Sequence, residues 1–272
     1  MKTTKVCLGF PWYNGPDPHT YTRYMEMVHY FGRLQERSYW LDEVVENLDG
    51  LPPLDPSGDD PEAELTLKDY ELSGRFEFGY SNEGGLSLPG LARELVVEGA
   101  LAWGADWLLM WDDDMLFPWS AFLKLWRHQK PVTAALAFTS RLPIQPVIYR
   151  ILERHTAKGL VRESDFVLDY PKDRLITDQD VDGPIAFGAG VVLINMNVFK
   201  QIPKPWFHST GCGEDWMFCL RCFDHGISRY VDTSVKTMHK SANPTWVSED
   251  LYDLHKQNHP ETYERLAKVG MR

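Results

Sequence analysis

Three consecutive carboxylates, Asp112, Asp113 and Asp114, follow directly on five apolar residues, Trp107 to Trp111. An unbroken apolar run of that length, bounded by acids, predicts a short strand buried on both faces, as in the middle of a parallel sheet. The carboxyl end of such a strand is where open α/β sheets build their ligand crevices. Carboxylates this close repel one another, so a fold that gathers them favours a hard cation with oxygen ligands, Mg²⁺ or Mn²⁺. A second acid pair, Glu214 and Asp215, stands at the start of a helical pattern, where the helix dipole and free N–H groups favour negative charge. It lies behind Gly211 and Gly213 and the aromatic Trp206 and Phe207. Sugars pack their apolar faces on aromatic rings, and an acceptor hydroxyl needs a carboxylate within hydrogen-bond reach to take its proton. His239 ends a late strand pattern; with Asp112 and Asp114 it would form a two-carboxylate, one-imidazole set with room for diphosphate oxygens. Each group also has a plain structural reading: a solvated acidic loop, a helix cap, a histidine at a strand end.

The elements that must position these groups follow from periodicity. Lys5 to Phe10 reads as a strand ending in the turn-rich Pro11 to Pro16, and Tyr21, Tyr24, Met25, Val28 and Phe31 predict a helix over 18–35. Arg75 to Tyr80 alternates like a strand before a Gly84-Gly85 turn, and 88–103 reads as a helix with Arg93 in its first turns. Beyond the acids, Pro118 predicts a helix start, with the helix running to about His128. Val132 to Phe138 is a further buried strand, and 146–152 with 159–168 form an antiparallel pair around Lys158-Gly159. Gly188, Ala189 and Gly190 lead into a strand at Val191 to Ile194, followed by a short helix at 197–201. A helix over 216–225, strands at 228–232 and 235–239, and a helical tail within 240–272 complete the pattern. Alternating strands and helices predict an α/β fold: one domain over 1–272, with a mostly parallel central sheet flanked by helices and a small antiparallel part.

Charge is concentrated rather than spread. The chain of 272 residues carries a formal charge of -11, yet residues 38–74 alone hold eleven acids against one base, Lys68. With its Pro/Gly/Asp centre, that stretch predicts a peripheral acidic insertion. The remainder is close to neutral, and Arg141, Arg150, Arg154 and Lys158 form its one modest basic grouping. No run of 18 apolar residues occurs, so neither a membrane-spanning helix nor a secretory signal is expected. Four cysteines suit a reduced, cytoplasmic protein better than a disulfide framework.

Asp112 to Asp114 after an apolar strand, the Gly188 to Ile194 segment, Pro205-Trp206-Phe207 before Gly213-Glu214-Asp215, and Val231 to His239 occur in that order. Together they resemble the landmarks of GT-A fold glycosyltransferases of the compact family-two-like type, which includes bacteriophage-encoded members. The similarity runs from about Lys5 to His239, apart from the insertion. It implies that Asp112 and Asp114 form a DxD motif handling ribose and metal-diphosphate, with His239 as a further metal ligand. It further implies that Pro11, Tyr13 and Asn14 hold the nucleoside, with Arg93 and Asp113 on the donor side. Asp215, beside Glu214, would be the general base of an inverting enzyme, and Gly190, Trp206 and Trp216 would face the acceptor. Glu94 departs from the pattern, since relatives often carry Asn after the helix arginine.

The expected activity is therefore metal-dependent transfer of a sugar from a nucleoside-diphosphate sugar to an acceptor hydroxyl. A saccharide, glycan or lipid-linked acceptor ranks ahead of modified DNA. A nucleotidyltransferase is the alternative enzyme, although Pro11 to Pro16 lacks a basic glycine-rich loop. A catalytically inactive sugar- or nucleotide-binding protein is the non-enzymatic one.

Overall fold

The computed structural model describes residues 2–12, 18–44, 65–84, 88–209, 213–241 and 246–269. The chain opens with strand β1 (Thr3–Trp12), the long helix α1 (Pro18–Val44), helix α2 (Leu67–Ser73), strand β2 (Arg75–Gly84) and helix α3 (Pro89–Trp103). Strand β3 (Trp107–Trp111), the two-residue β4 (Met115–Leu116), helix α4 (Ala121–Arg127) and strand β5 (Val132–Leu136) follow. Next come the hairpin β6 (Ile148–Thr156) and β7 (Gly159–Phe166), the short β8 (Leu175–Ile176) and β9 (Ile185–Phe187), strand β10 (Val191–Asn195) and helix α5 (Asn197–Gln201). Helix α6 (Glu214–Asp224), strands β11 (Arg229–Lys236), β12 (Met238–Lys240) and β13 (Trp246–Val247), and helices α7 (Glu249–Asn258) and α8 (Pro260–Val269) end it.

Seven strands form the central sheet in the order β2-β1-β3-β10-β5-β11-β8. β2, β1, β3, β5 and β11 run the same way, while β10 and β8 are reversed. The sheet is thus mostly parallel, as the sequence pattern predicts. Every residue of β3 and β5 is buried, and alternate side chains enter two cores, as a period of two requires. Leu108 and Met110 pack with Val96 and Val97 of α3 and Phe218 of α6. Trp107, Leu109 and Trp111 pack instead with Phe31 of α1 and Phe122 of α4. Helices on both faces therefore clamp the strand that carries the acids. Two small antiparallel sheets, β13-β12-β4 and β7-β6-β9, complete the fold.

Several sequence boundaries shift for physical reasons. α1 continues past residue 35 because Ser38 and Leu41 extend its buried stripe, and the Ser38 hydroxyl accepts from the Phe76 N–H at 2.8 Å. The helix after the acids starts at Ala121, not at Pro118. The tail splits at His259-Pro260 into α7 and α8, since proline suits a first helical turn and not an interior. The acidic segment is also less peripheral than its composition implies. Its first residues belong to α1, and at its far end Leu65, Asp69 and Ser73 are buried. Asp69 closes a capping box with Thr66 and takes two hydrogen bonds from Arg127, at 3.0 and 2.8 Å. Residues 45–64 lie outside the described residues.

Candidate active site

β3 ends where the reversed β10 begins, and the Asp112 N–H donates to the Gly190 carbonyl at 2.9 Å across that junction. The carboxylate of Asp112 meets Arg93 of α3 in a two-pronged ion pair, with Nη1 to Oδ1 at 2.7 Å and Nη2 to Oδ2 at 3.0 Å. Arg93 is 3% exposed, and its Nε stands 3.5 Å from Glu214 Oε1 on α6. One buried guanidinium therefore links α3, β3 and α6, using the planar fork that suits arginine to carboxylates. Burial pushes the Asp112 carboxyl up to about 7; Arg93 opposes this, and the charges of Asp114, Asp215 and Glu214 add to it.

Asp215 sits in the first turn of α6, its Oδ1 accepting from the Trp216 N–H at 2.7 Å and its carboxylate also bonded by the Ala189 backbone. Burial raises its pKa above the usual carboxylate range; Arg93 opposes, and Glu214 pushes further up. Close backbone approach makes this placement possible. A Cβ on Gly188 would stand 2.4 Å from Val147 Cγ1 and 3.4 Å from Asp215 Oδ2. A Cβ on Gly90 would lie 2.2 Å from the Phe207 carbonyl, so a larger residue there would force α3 away from the loop that precedes α6.

Asp114 and His239 meet on the other side of the turn. His239 reaches the rim on β12, not on the central sheet: β12 pairs antiparallel with β4, with His239 opposite Met115. Its Nδ1 donates to the Phe138 carbonyl at 2.6 Å, and its Nε2 lies 3.0 Å from Asp114 Oδ2. Burial works against a charged ring, but the Asp114 carboxylate and the Phe138 carbonyl outweigh it and raise the His239 pKa.

This donor set fits a divalent cation only in part. Two neighbouring ligands of an octahedral ion at about 2.1 Å are about 3 Å apart, and the 3.0 Å between Asp114 Oδ2 and His239 Nε2 matches that span. Each oxygen of Asp112 accepts one hydrogen bond from Arg93, which takes up part of that carboxylate's accepting capacity. Among the described residues no three His, Cys, Asp or Glu side chains gather in a way that could hold a metal ion. Of the expected set, Asp114 and His239 stand 3.0 Å apart, while Asp112 is paired with Arg93.

The remaining candidates are placed as follows. Pro11 is buried near the end of β1, in register with Glu83 of β2. Tyr13 and Asn14 lie outside the described residues. Asp113 is half-buried in the turn between its two neighbours. Trp216 is half-buried with its ring edge-on to Tyr149, centroids 6.2 Å apart. Trp206 is 4% exposed, packs against Phe199 and donates from Nε1 to the Ile202 carbonyl at 3.0 Å. It is a core residue here, with too little exposed ring to form a sugar-stacking platform.

Two residues that periodicity did not single out as functional complete the site. The Glu94 carboxylate accepts from the backbone N–H groups of Phe207 and Trp206, so the departure after Arg93 ties α3 to the loop that precedes α6. Tyr149 borders Asp215, whose charge, after burial itself, raises the phenol pKa. Only the first has a sequence signal, and its partner is a main-chain group that no side-chain pattern reveals.

No family model and no curated protein matches the sequence. Among solved structures the chain is similar to A197 from STIV, with a TM-score of 0.48, 14% identity, and 90% of this chain and 94% of that chain covered. It is also similar to an apo UDP-glucose pyrophosphorylase, with a TM-score of 0.42, 13% identity, and coverage of 96% and 100%. Similarity to the 1–349 fragment of TarS from S. aureus gives a TM-score of 0.33 and 13% identity, covering 85% of this chain and 60% of that one. At these scores the chemistry has to be judged from the site's own residues. Among the described residues no helix is long and apolar enough to cross a membrane.

Proposed function

We propose that the protein transfers a sugar from a nucleoside-diphosphate donor to an acceptor hydroxyl with inversion. The observation that carries this reading is the placement of Asp215. It is a half-buried carboxylate of raised proton affinity, fixed by main-chain N–H groups beside the Arg93–Asp112 pair at the carboxyl end of the central strand. A carboxylate so prepared suits proton abstraction, and the neighbouring buried guanidinium suits a diphosphate.

In a single displacement the acceptor oxygen attacks the anomeric carbon, the bond from that carbon to the diphosphate oxygen breaks, and the acceptor proton passes to Asp215. Asp112 accepts from ribose hydroxyls, and Arg93, buried behind it, adds positive charge on the side of the phosphates, so that the chain acts by position and fixed charge. Asp114 and His239 would hold Mn²⁺ or Mg²⁺, which when bound supplies positive charge against the departing diphosphate.

A saccharide, glycan or lipid-linked acceptor is favoured over DNA. Within the one basic grouping, Arg150 pairs with Asp165 and Arg154 with Glu163, which leaves little positive charge for a phosphate backbone. The test is incubation with nucleoside-diphosphate sugars, Mn²⁺ and either saccharide acceptors or hydroxymethylated DNA, read by mass. The expected result is a sugar-sized gain on a saccharide. Release of pyrophosphate from a nucleoside triphosphate and a sugar 1-phosphate would establish the nucleotidyltransferase alternative instead.

A further inference from the structure

A cavity of about 900 Å³ lies outside the carboxylate cluster, between the amino-terminal half of α1, the segment from β4 to α4, the end of β11 and the start of α7. This is near the top of the range for small-molecule sites, about 300–1,000 Å³. The small sheet β4-β12-β13 divides it from Asp114 and His239. Leu116 pairs with Met238 and both line the cavity, whereas the next pair, Met115 and His239, points to the opposite face.

The lining has a definite chemical character. Trp246, Met238 and Leu116 give it an apolar wall, and Met238 is 40% exposed. Ser120, also on the lining, is fully buried, and its hydroxyl has no hydrogen-bond partner among the described residues. A buried hydroxyl left without a partner is destabilising unless something polar reaches it. Three carboxylates, Glu26, Glu249 and Asp250, stand against two lysines, Lys124 and Lys236. Lys236 lies 2.8 Å from Asp173 and 2.5 Å from Glu249, and Glu249 also accepts from the Tyr170 hydroxyl at 2.8 Å, so both are paired and Glu26, Asp250 and Lys124 set the remaining balance, still acidic. A phosphate or carboxylate ligand would meet an excess of like charge there. A polyhydroxylated neutral molecule would find carboxylates and a hydroxyl for its O–H groups and an indole face for its C–H groups.

We propose that this cavity binds a neutral saccharide, separately from the carboxylate site and independently of what reaction that site performs. The test uses the full chain and a panel of neutral oligosaccharides of glucose, mannose, galactose and N-acetylglucosamine, with affinities measured by calorimetry. At least one is expected to bind, with Trp246→Ala weakening it by about tenfold or more, as loss of an aromatic anchor does. Met238→Glu, at an exposed position that leaves the core intact, should weaken it as well. Asp114→Asn, across the small sheet, should leave it unchanged. Absence of binding by every member of the panel would overturn the proposal. So would affinity unchanged in both Trp246→Ala and Met238→Glu, or affinity lost in Asp114→Asn.

Discussion

At the scale of single residues, Asp215 is where stability and proposed activity pull apart. A carboxyl whose folded pKa is raised lowers stability in full above that folded value, because ionisation is forced on a partly desolvated group, and the penalty fades as pH falls through the folded value toward the unfolded one. Asp215→Asn should therefore raise Tm at pH 7, by about 2–4 °C for each kcal/mol relieved, and the difference should shrink toward pH 4. The same variant should retain nucleoside-diphosphate binding and lose transfer. Loss of both together would make Asp215 a helix cap. In the parent, kcat/KM should fall with decreasing pH along a limb above the ordinary carboxylate range of about 4, since the base must be ionised. Asp114→Asn and His239→Ala should each abolish the Mn²⁺-dependent part of thermal stabilisation by a nucleoside diphosphate. Retention in both variants would remove the cation from this pair. The acids themselves were legible in the sequence because a strand and the turn after it are local patterns. The fork between Arg93 and Asp112 was not, because the two are joined only when α3 packs on β3. Nor was the commitment of Glu94 to backbone at Phe207.

At the scale of elements, α2 is the part whose role composition misjudged. Its sequence is acidic and polar, which reads as solvated surface, yet Asp69 is 3% exposed. Burial raises the pKa of that carboxyl, but the Arg127 guanidinium and the Thr66 backbone and hydroxyl outweigh it, so the folded value is depressed. A depressed carboxyl contributes stability that is present above its unfolded pKa of about 3.9 and is lost as pH falls through the folded value. Asp69→Asn should thus lower stability at pH 7 by about 1–2 kcal/mol, the scale for losing charge-assisted hydrogen bonds when the remaining partner, Arg127, is partly exposed and can be solvated. Urea unfolding of parent and variant should converge below pH 4. A constant gap at all pH values would assign the effect to the capping box alone. The β3, β10 and α5 boundaries, by contrast, follow closely from apolar runs and periodicity. His239 was expected at the end of a central strand, but a break after β11 carries it onto a separate small sheet. Pairing partners so far apart in sequence leave no local trace.

At the scale of the whole molecule, the net charge of -11 and the internal pairing of Arg150 and Arg154 predict little duplex DNA binding at physiological salt, which a gel-shift titration would check. The acidic segment can be tested by deletion. Removing 42–69 takes away Leu65 and Asp69 with the rest, so it should lower Tm clearly. A shorter cut that keeps both should be tolerated better, since loop length itself has a weak effect on stability. The reversed direction of β10 has a consequence for synthesis. That strand enters between β3 and β5 and brings Gly190 to the Asp112 amide, while Asp215 and His239 come from segments made later still. On the ribosome, residues 1–190 would carry Asp112, Asp114 and Arg93 without the strand that seats between β3 and β5. A nascent chain should therefore acquire the proposed donor binding only near the end of translation, in one step, as the last segments of the rim emerge and close it.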